Sequence, residues 1–352
     1  MIHLTKRPFI LKKHNMVDDP NASSRKSDHI NLTFQSQTNK SNIDSRFYYE
    51  PLFQGHPSKD IIPKFELAKK IMNAPIWISS MTGGTQYAKK INENLARACG
   101  SFGLGMGLGS CRGLLESNEH FEDFNVRKFL PNQPLFANLG IAQLEKLILQ
   151  KKLNTVKDLV DRLAADGLII HVNPLQEYFQ PEGDKFRMSP IQIIEDCCQH
   201  FNFPLIVKEV GHGFGPKSLL RLLQLPLEAV DFGAAGGTNF SSIELKRLDN
   251  YNPNPLELVG HSAEEMIEFC NFISSKNNIT TKKLIISGGV KDSLDGYYLI
   301  GNSNLPAIYG QAANFLKQAL IDLDTLEKYV DAQLQNLAMA YAYLTVKKSK
   351  FE

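Results

Sequence analysis

The sequence predicts an α/β fold, a single (β/α)8 (TIM) barrel with an N-terminal polar extension. Three observations carry that prediction. Eight short runs of buried-strand type recur along the 352 residues, and most are followed by a helix-periodic stretch. The runs are apolar throughout rather than alternating, as parallel strands covered by helices on both faces are. Glycines, hydroxyls, amides and charges gather where the runs end, the place a barrel reserves for its active site.

In chain order the runs are PIWISS (75–80), GLGMGLGS (103–110), PLFANLG (134–140) and GLIIHVN (167–173). PLIVKEVG (204–211), AVDFGAA (229–235), KLIISGG (283–289) and PAIYGQA (306–312) complete the set. Helical patterns fall between them. KKINENLARACGSF follows the first run, AQLEKLILQKK with TVKDLVDRLAAD the third, and SPIQIIEDCCQHF the fourth, while SAEEMIEFCNFISS precedes the seventh. A final pattern, LDTLEKYVDAQLQNLAMAYAYL, carries a wider apolar stripe than an outer ring needs. Packing across the barrel bottom or a second copy would bury it. An open doubly wound sheet would instead show a Gly-x-Gly-x-x-Gly turn opening a helix. The nearest candidate, GLGMGLGS, alternates glycine at every second position and runs on into CRGLLE, which is no helix start.

Residues 25–352 are read as one barrel and 1–24 as a flexible leader. The opening MIHLTKRPFILKKHNM is basic, but its apolar stretches are too short for a signal-peptide core. A polar tract follows from Met16 to Ser45, and Met16 is itself a candidate start. Charge is nearly balanced, 39 basic against 37 acidic side chains, which does not ask for nucleic acid or a membrane surface. No apolar run approaches the ~20 residues of a membrane span. Cys99, Cys111, Cys197, Cys198 and Cys270 are odd in number and form no C-x-x-C pair, which reads as a reduced, cytoplasmic chain without zinc or disulfides.

The rim chemistry is specific by position. Ser287-Gly288-Gly289 and Gly310-Gln311 end the seventh and eighth runs, where a barrel brings bare backbone N–H groups to a phosphate. Lys291 offers a countercharge. Each glycine turn alone is as well read as an ordinary tight turn; together they point to a phosphate. Met81-Thr82-Gly83-Gly84, Asn138, Lys208 and Thr238 add small groups, an amide, an ammonium and a hydroxyl at other run ends. A flat heterocycle across the barrel mouth needs that mixture, with a cation near N1 if the ring is a reduced flavin. Arg25, Lys26, Arg112 and His171 are too many donors for one phosphate and suit a diphosphate. Glu177, beside Gln176, is an oxygen ligand of the kind magnesium takes. Taken singly, Arg25-Lys26 reads equally as solvated surface, His171 as a structural residue and Glu177 as a rim carboxylate.

At these residues the chain resembles the type 2 isopentenyl-diphosphate isomerases. The likeness runs from about Arg25 to Leu316 through RKSDH (25–29), MTGG (81–84), GSCR (109–112), ANLG (137–140) and HVNPLQE (171–177). PEGDKF (181–186), VKEVGHG (207–213), GGTNFSSIE (236–244) and SGGVKDSLD (287–295) continue it. The resemblance implies an FMN- and Mg2+-dependent barrel that interconverts isopentenyl and dimethylallyl diphosphate, with NAD(P)H as flavin reductant. It implies FMN contacts at Met81, Thr82, Gly83, Ser110, Asn138, Lys208 and Thr238, and a flavin-phosphate site at Gly288, Gly289, Lys291, Gly310 and Gln311. Substrate would meet Arg25, Lys26, Ser110, Arg112, His171, Asn173 and Gln176; Glu177 would hold Mg2+, and Gln176 and His171 would be catalytic. A homo-oligomer, tetramer or octamer, is also implied. Lys291 stands where family members often carry Arg, keeping the charge and losing the fork geometry.

Two rival readings differ in residues. A 2-hydroxy-acid oxidase needs a His base beside an Arg after a late strand, and GAAGGTNF offers neither. A dehydrogenase of the inosine-monophosphate type needs a Cys in a late glycine-rich loop, and none lies between Cys198 and Cys270. A non-catalytic flavoprotein would not need Arg25, Arg112, Gln176 and Glu177 together.

Overall fold

The computed structural model describes residues 22–80, 87–248 and 252–348. The leader through residue 21 and the predicted flavin contacts Met81, Thr82 and Gly83 lie outside the described residues. Two compact units are present, Met1–Ser45 and Arg46–Glu352. The described part of the first holds a helix, Ala22–Leu32, and a short 3-10 turn, Lys40–Asn42, with exposed side chains from Ser24 onward.

The second unit is a closed eight-stranded barrel, as predicted. Its strands are β1 (Ile76–Ile78), β2 (Gly105–Gly107), β3 (Leu135–Gly140), β4 (Gly167–Val172), β5 (Leu205–Glu209), β6 (Ala229–Asp231), β7 (Leu284–Ser287) and β8 (Ala307–Gln311). Each falls within one of the eight apolar runs. They pair in parallel in sequence order, and β8 closes onto β1. Side chains alternate between the helix layer and the barrel interior. Trp77, Phe136, Ile169, Ile206, Ala229, Ile285 and Ile308 point inward and form one apolar layer. Leu67 and Met72 join it from a hairpin, Phe65–Leu67 with Lys70–Met72, that the sequence reading did not anticipate. Its turn residues Ala68 and Lys69 have φ of 51° and 61°, the left-handed conformation a two-residue hairpin turn requires.

Charged contacts tie the hairpin to the N-terminal ends of the strands. Ala68 N–H donates to Glu228 (2.8 Å), which also pairs with Lys283 (2.7 Å). Lys70 pairs with Asp166 at 2.8 Å, and Asp166 also accepts from Arg127 Nη2 at 2.7 Å and from Leu135 N–H at 2.9 Å. Asp166→Ala leaves two cations and one amide short of an acceptor at a mostly buried site. We expect it to cost about 2 kcal/mol, read as a lower urea midpoint at unchanged slope.

The helices follow their predicted runs. Ala263–Lys276 opens on a reciprocal Ser262–Glu265 capping box, and Pro190–His200 carries its proline in the first turn. The final helix, Leu323–Tyr343, buries Leu326, Val330, Leu334, Leu337 and Ala338. It packs beside Ala88–Phe102, Ser293–Asn302 and Ala313–Ala319. Its apolar stripe is thus covered largely within the chain, along the flank of the barrel rather than across its bottom. An antiparallel pair, Phe47–Tyr49 with Leu344–Val346, was also not anticipated.

Candidate active site

One step along each strand from the apolar layer, the same alternation produces a polar ring. Counting two residues past each inward apolar side chain gives Ser79 just past β1, Asn138 on β3, His171 on β4 and Lys208 on β5. The same count gives Asp231 on β6, Ser287 on β7 and Gly310 on β8. Strand register sets neighbours side by side: His171 pairs with Lys208, and Lys208 with Asp231.

Hydrogen bonds fix the ring's orientation. Asn138 Nδ2 donates to the Leu108 carbonyl at 3.1 Å, which leaves its Oδ1 facing His171 Nδ1 at 2.7 Å. An amide oxygen only accepts, so Nδ1 carries the imidazole proton and Nε2 is left as an acceptor. Burial, aided by the Lys208 charge, pushes the His171 pKa down to about 4. His171 is therefore a neutral acceptor near pH 7 and takes up a proton before it can donate to a phosphoryl oxygen. The linkage has a definite sign. Between the ordinary histidine value and about 4 the unfolded chain binds the extra proton, so stability falls as the pH drops through that window. In His171→Gln that part of the acid destabilisation should vanish, as urea titrations at several pH values would show.

Beside the ring, a cavity of about 360 Å3 is lined by Lys208, Thr238, Gly288, Gly289, Lys291, Gly310 and Gln311, all expected there. That volume is of ligand size. Its wall is backbone packed against backbone. A Cβ on Gly288 (φ 96°) would stand 2.1 Å from the Ala234 oxygen, and one on Gly237 would stand 3.2 Å from the Gly289 nitrogen. The Ser79 and Ser80 hydroxyls line the cavity and are buried without a hydrogen-bond partner among the described residues, which leaves two polar groups for an occupant. The Gln311 side chain is engaged elsewhere, donating to the Val290 carbonyl at 3.2 Å, so its amide braces the loop. The turn after β5 is held differently: Glu209 Oε2 accepts from the N–H groups of Gly211, His212 and Gly213 at 2.9, 2.6 and 2.8 Å.

A second cluster lies just past β4. Between the fourth apolar run and the SPIQIIEDCCQHF pattern the chain forms one further short helix, Pro174–Phe179, with proline in its first turn. Six residues are too few to display a 3.6-residue period. The helix holds Gln176 and Glu177 over Asn173, whose Nδ2 donates to Gln176 Oε1 at 3.1 Å and to Glu177 Oε1 at 3.0 Å. Glu177 Oε2 accepts the Asp184 N–H at 2.8 Å. Gln176 Nε2 donates to Glu244 Oε1 at 3.1 Å, and Glu244 Oε2 accepts from Arg247 at 3.0 Å. Glu244 was given no role from sequence. It lies on Phe240–Lys246, a helix past β6, and only the folded chain brings it to Gln176. Among the described residues Asn173 Oδ1 is buried without a partner, next to the Glu177 carboxylate. An amide oxygen and a carboxylate are the donors a magnesium ion takes.

Ser110 and Arg112 follow β2 as exposed side chains, away from the cavity wall. Arg25 and Lys26 are exposed on the Ala22–Leu32 helix of the other compact unit. Among the described residues no group of three or more His, Cys, Asp or Glu side chains is arranged to hold a metal ion.

No family model matches the chain. A curated relative from Rickettsia typhi, named isopentenyl-diphosphate delta-isomerase, is 33% identical over 330 residues, covering 91% of this chain and 92% of the relative. The chain belongs to the isopentenyl-diphosphate delta-isomerase family. A relative of the same name from Rickettsia akari is 35% identical over 321 residues, covering 89% of each. The motifs from RKSDH to SGGVKDSLD mark this member of the isopentenyl-diphosphate delta-isomerase family as type 2. Among solved structures, a mandelate oxidase mutant with a monooxide FMN adduct superposes with a TM-score of 0.55 at 12% identity, covering 86% of this chain and 88% of that one. A flavocytochrome b2 mutant with benzoylformate gives 0.57 at 15% identity, covering 84% and 71%. At such identities the likeness concerns the fold alone, a barrel that this chain shares with both proteins. No described helix is long and apolar enough to cross a membrane.

Proposed function

We propose that this protein interconverts isopentenyl and dimethylallyl diphosphate, with FMN across the polar ring, Mg2+ at Glu177 and NAD(P)H as the flavin's reductant. The observation that carries the reading is the Asn173–Gln176–Glu177 turn joined to Glu244. One turn of helix sets a metal-type carboxylate beside an amide–carboxylate pair able to orient and move a proton. The cavity fits FMN: its glycine cradle and two unpartnered hydroxyls suit a phosphate and a polar chain, and Lys208 suits a ring that gains negative charge. When bound and reduced, FMN would supply an electron-rich face against which positive charge on the substrate is stabilised.

The reaction adds a proton at one end of an allylic system and removes one at the other, so no net oxidation is required. Gln176 orients the reacting end through one donor and one acceptor, and Glu244, hydrogen-bonded to it, gives or takes the proton. Asn173 keeps both Gln176 and Glu177 in place. Arg25, Lys26, Ser110 and Arg112 are the further groups proposed for the diphosphate. The family likeness supports a homo-oligomer, which light scattering at micromolar concentration would show. The five thiols, unpaired among the described residues, suit a cytoplasmic setting.

Incubating the protein with FMN, NADPH, Mg2+ and isopentenyl diphosphate in deuterated water tests the reading. Dimethylallyl diphosphate should form and carry deuterium. Oxidised product with accumulating reduced flavin would overturn it. The oxidase alternative has no matching residues, since Phe232 to Phe240 contains neither His nor Arg. Gly288→Ala tests the cradle separately. Its methyl group would collide with the Ala234 carbonyl at a left-handed backbone position, so FMN retention should fall at least about tenfold, measured by flavin fluorescence on dilution.

A further inference from the structure

Asp231 is fully buried and has no part in the reaction just described. It is the inward side chain of β6 in the polar ring, directly beside Lys208 in register. Ser287 Oγ accepts the Gly233 N–H at 2.9 Å, so its own proton is free to be given, and it goes to Asp231 Oδ1. The other oxygen, Oδ2, is buried without a hydrogen-bond partner among the described residues. A buried carboxyl with one bare oxygen is costly unless a cation faces it. Lys208, its inward neighbour in strand register, is the cation of the ring, set beside the carboxyl without a direct ion pair. Its Nζ donates to the Glu209 carbonyl at 2.9 Å, which leaves two N–H bonds for other partners.

The surrounding charges are few. On β5 stand Lys208 and Glu209, the latter committed to the three amides of its own loop. On β4 stands His171, which is neutral, and on β7 the facing group is the Ser287 hydroxyl. Burial pushes the Asp231 carboxyl up, while Lys208, the Ser287 hydroxyl and the Gly233 amide pull against it. Lys208, Gly233 and Ser287 all line the cavity, and Asp231 touches or adjoins each of them from beneath.

We propose that Asp231 is a positioning residue acting through Lys208: a buried counter-charge under the cofactor cavity that holds the ammonium in place and offsets part of its field. It thereby sets how strongly the site favours reduced over oxidised flavin. The flavin part rests on the FMN reading above; the action of Asp231 on its neighbour Lys208 does not.

Asp231→Asn keeps the shape and removes the charge, and two readouts follow. In flavin-free protein, labelling of Lys208 by acetic anhydride, quantified by mass spectrometry, should rise severalfold, because the carboxylate beside it no longer holds the ammonium in place. With FMN, the ratio of the oxidised to the reduced dissociation constant should rise roughly tenfold, since the field at the cavity becomes more positive. Ser287→Ala, which removes the donor to Oδ1, should move both readouts the same way by less, and it decides the matter if Asp231→Asn does not fold. Unchanged Lys208 labelling overturns the proposal, and so does an unchanged or inverted ratio in a variant that binds FMN. Raised labelling in a protein that binds no flavin supports the action of Asp231 on Lys208 and instead refutes the FMN reading.

Discussion

Gln176→Ala should retain FMN and its reduction by NADPH while isomerisation falls about a hundredfold or more, the scale of a lost proton-transfer group. The side chain lies outside the cavity wall, so flavin binding does not depend on it. Its amide joins Asn173 on one side and Glu244 on the other, at 3.1 Å each. Alanine breaks both links and leaves Glu244 with Arg247 as its partner. The carboxylate proposed to move the proton is then neither aimed nor connected. Exchange of substrate protons with deuterated water should fall in step with product formation, which separates lost proton transfer from lost binding. A parent-like rate in the variant would mean that Gln176 has no role in the chemistry.

The barrel was legible because its strands are covered on both faces, so each reads as an unbroken apolar run. The ring was legible in part for the same reason. Asn138, His171 and Lys208 each stand two residues past an inward Phe136, Ile169 or Ile206, and period-two counting places them inside. Asp231 obeys the same count, yet in AVDFGAA it reads as the end of a strand, and nothing local marks it as buried. Glu244 is a contact across 68 residues of chain, made by a helix that follows a glycine loop. The hairpin at Phe65–Met72 escaped because only Leu67 and Met72 turn inward, too few to form a run. Where the candidate site is built on strand ends it could be read along the chain. Where it is built by two short helices meeting, it could not.

Glu177→Gln should lower turnover at limiting Mg2+ by roughly a hundredfold and leave the protein yellow, since the carboxylate is not part of the cavity wall. The structure adds a complication that the sequence does not show. Both Glu177 oxygens already accept hydrogen bonds, Oε1 from Asn173 and Oε2 from the Asp184 amide. A glutamine has one oxygen to offer and must turn an NH2 group toward one of those two donors. If it faces Asp184, the loop through Gly183 loosens; if it faces Asn173, that amide loses one acceptor but keeps Gln176. Raising Mg2+ distinguishes charge from shape. Loss of a metal ligand should be offset in part by excess Mg2+, whereas a loosened loop should not respond. Unchanged activity at limiting Mg2+ would remove Glu177 as the ligand, and loss of flavin would place it in the wrong site. Asp184→Ala provides the check on the loop, because it keeps the backbone N–H that Glu177 uses and should leave the metal dependence as it was.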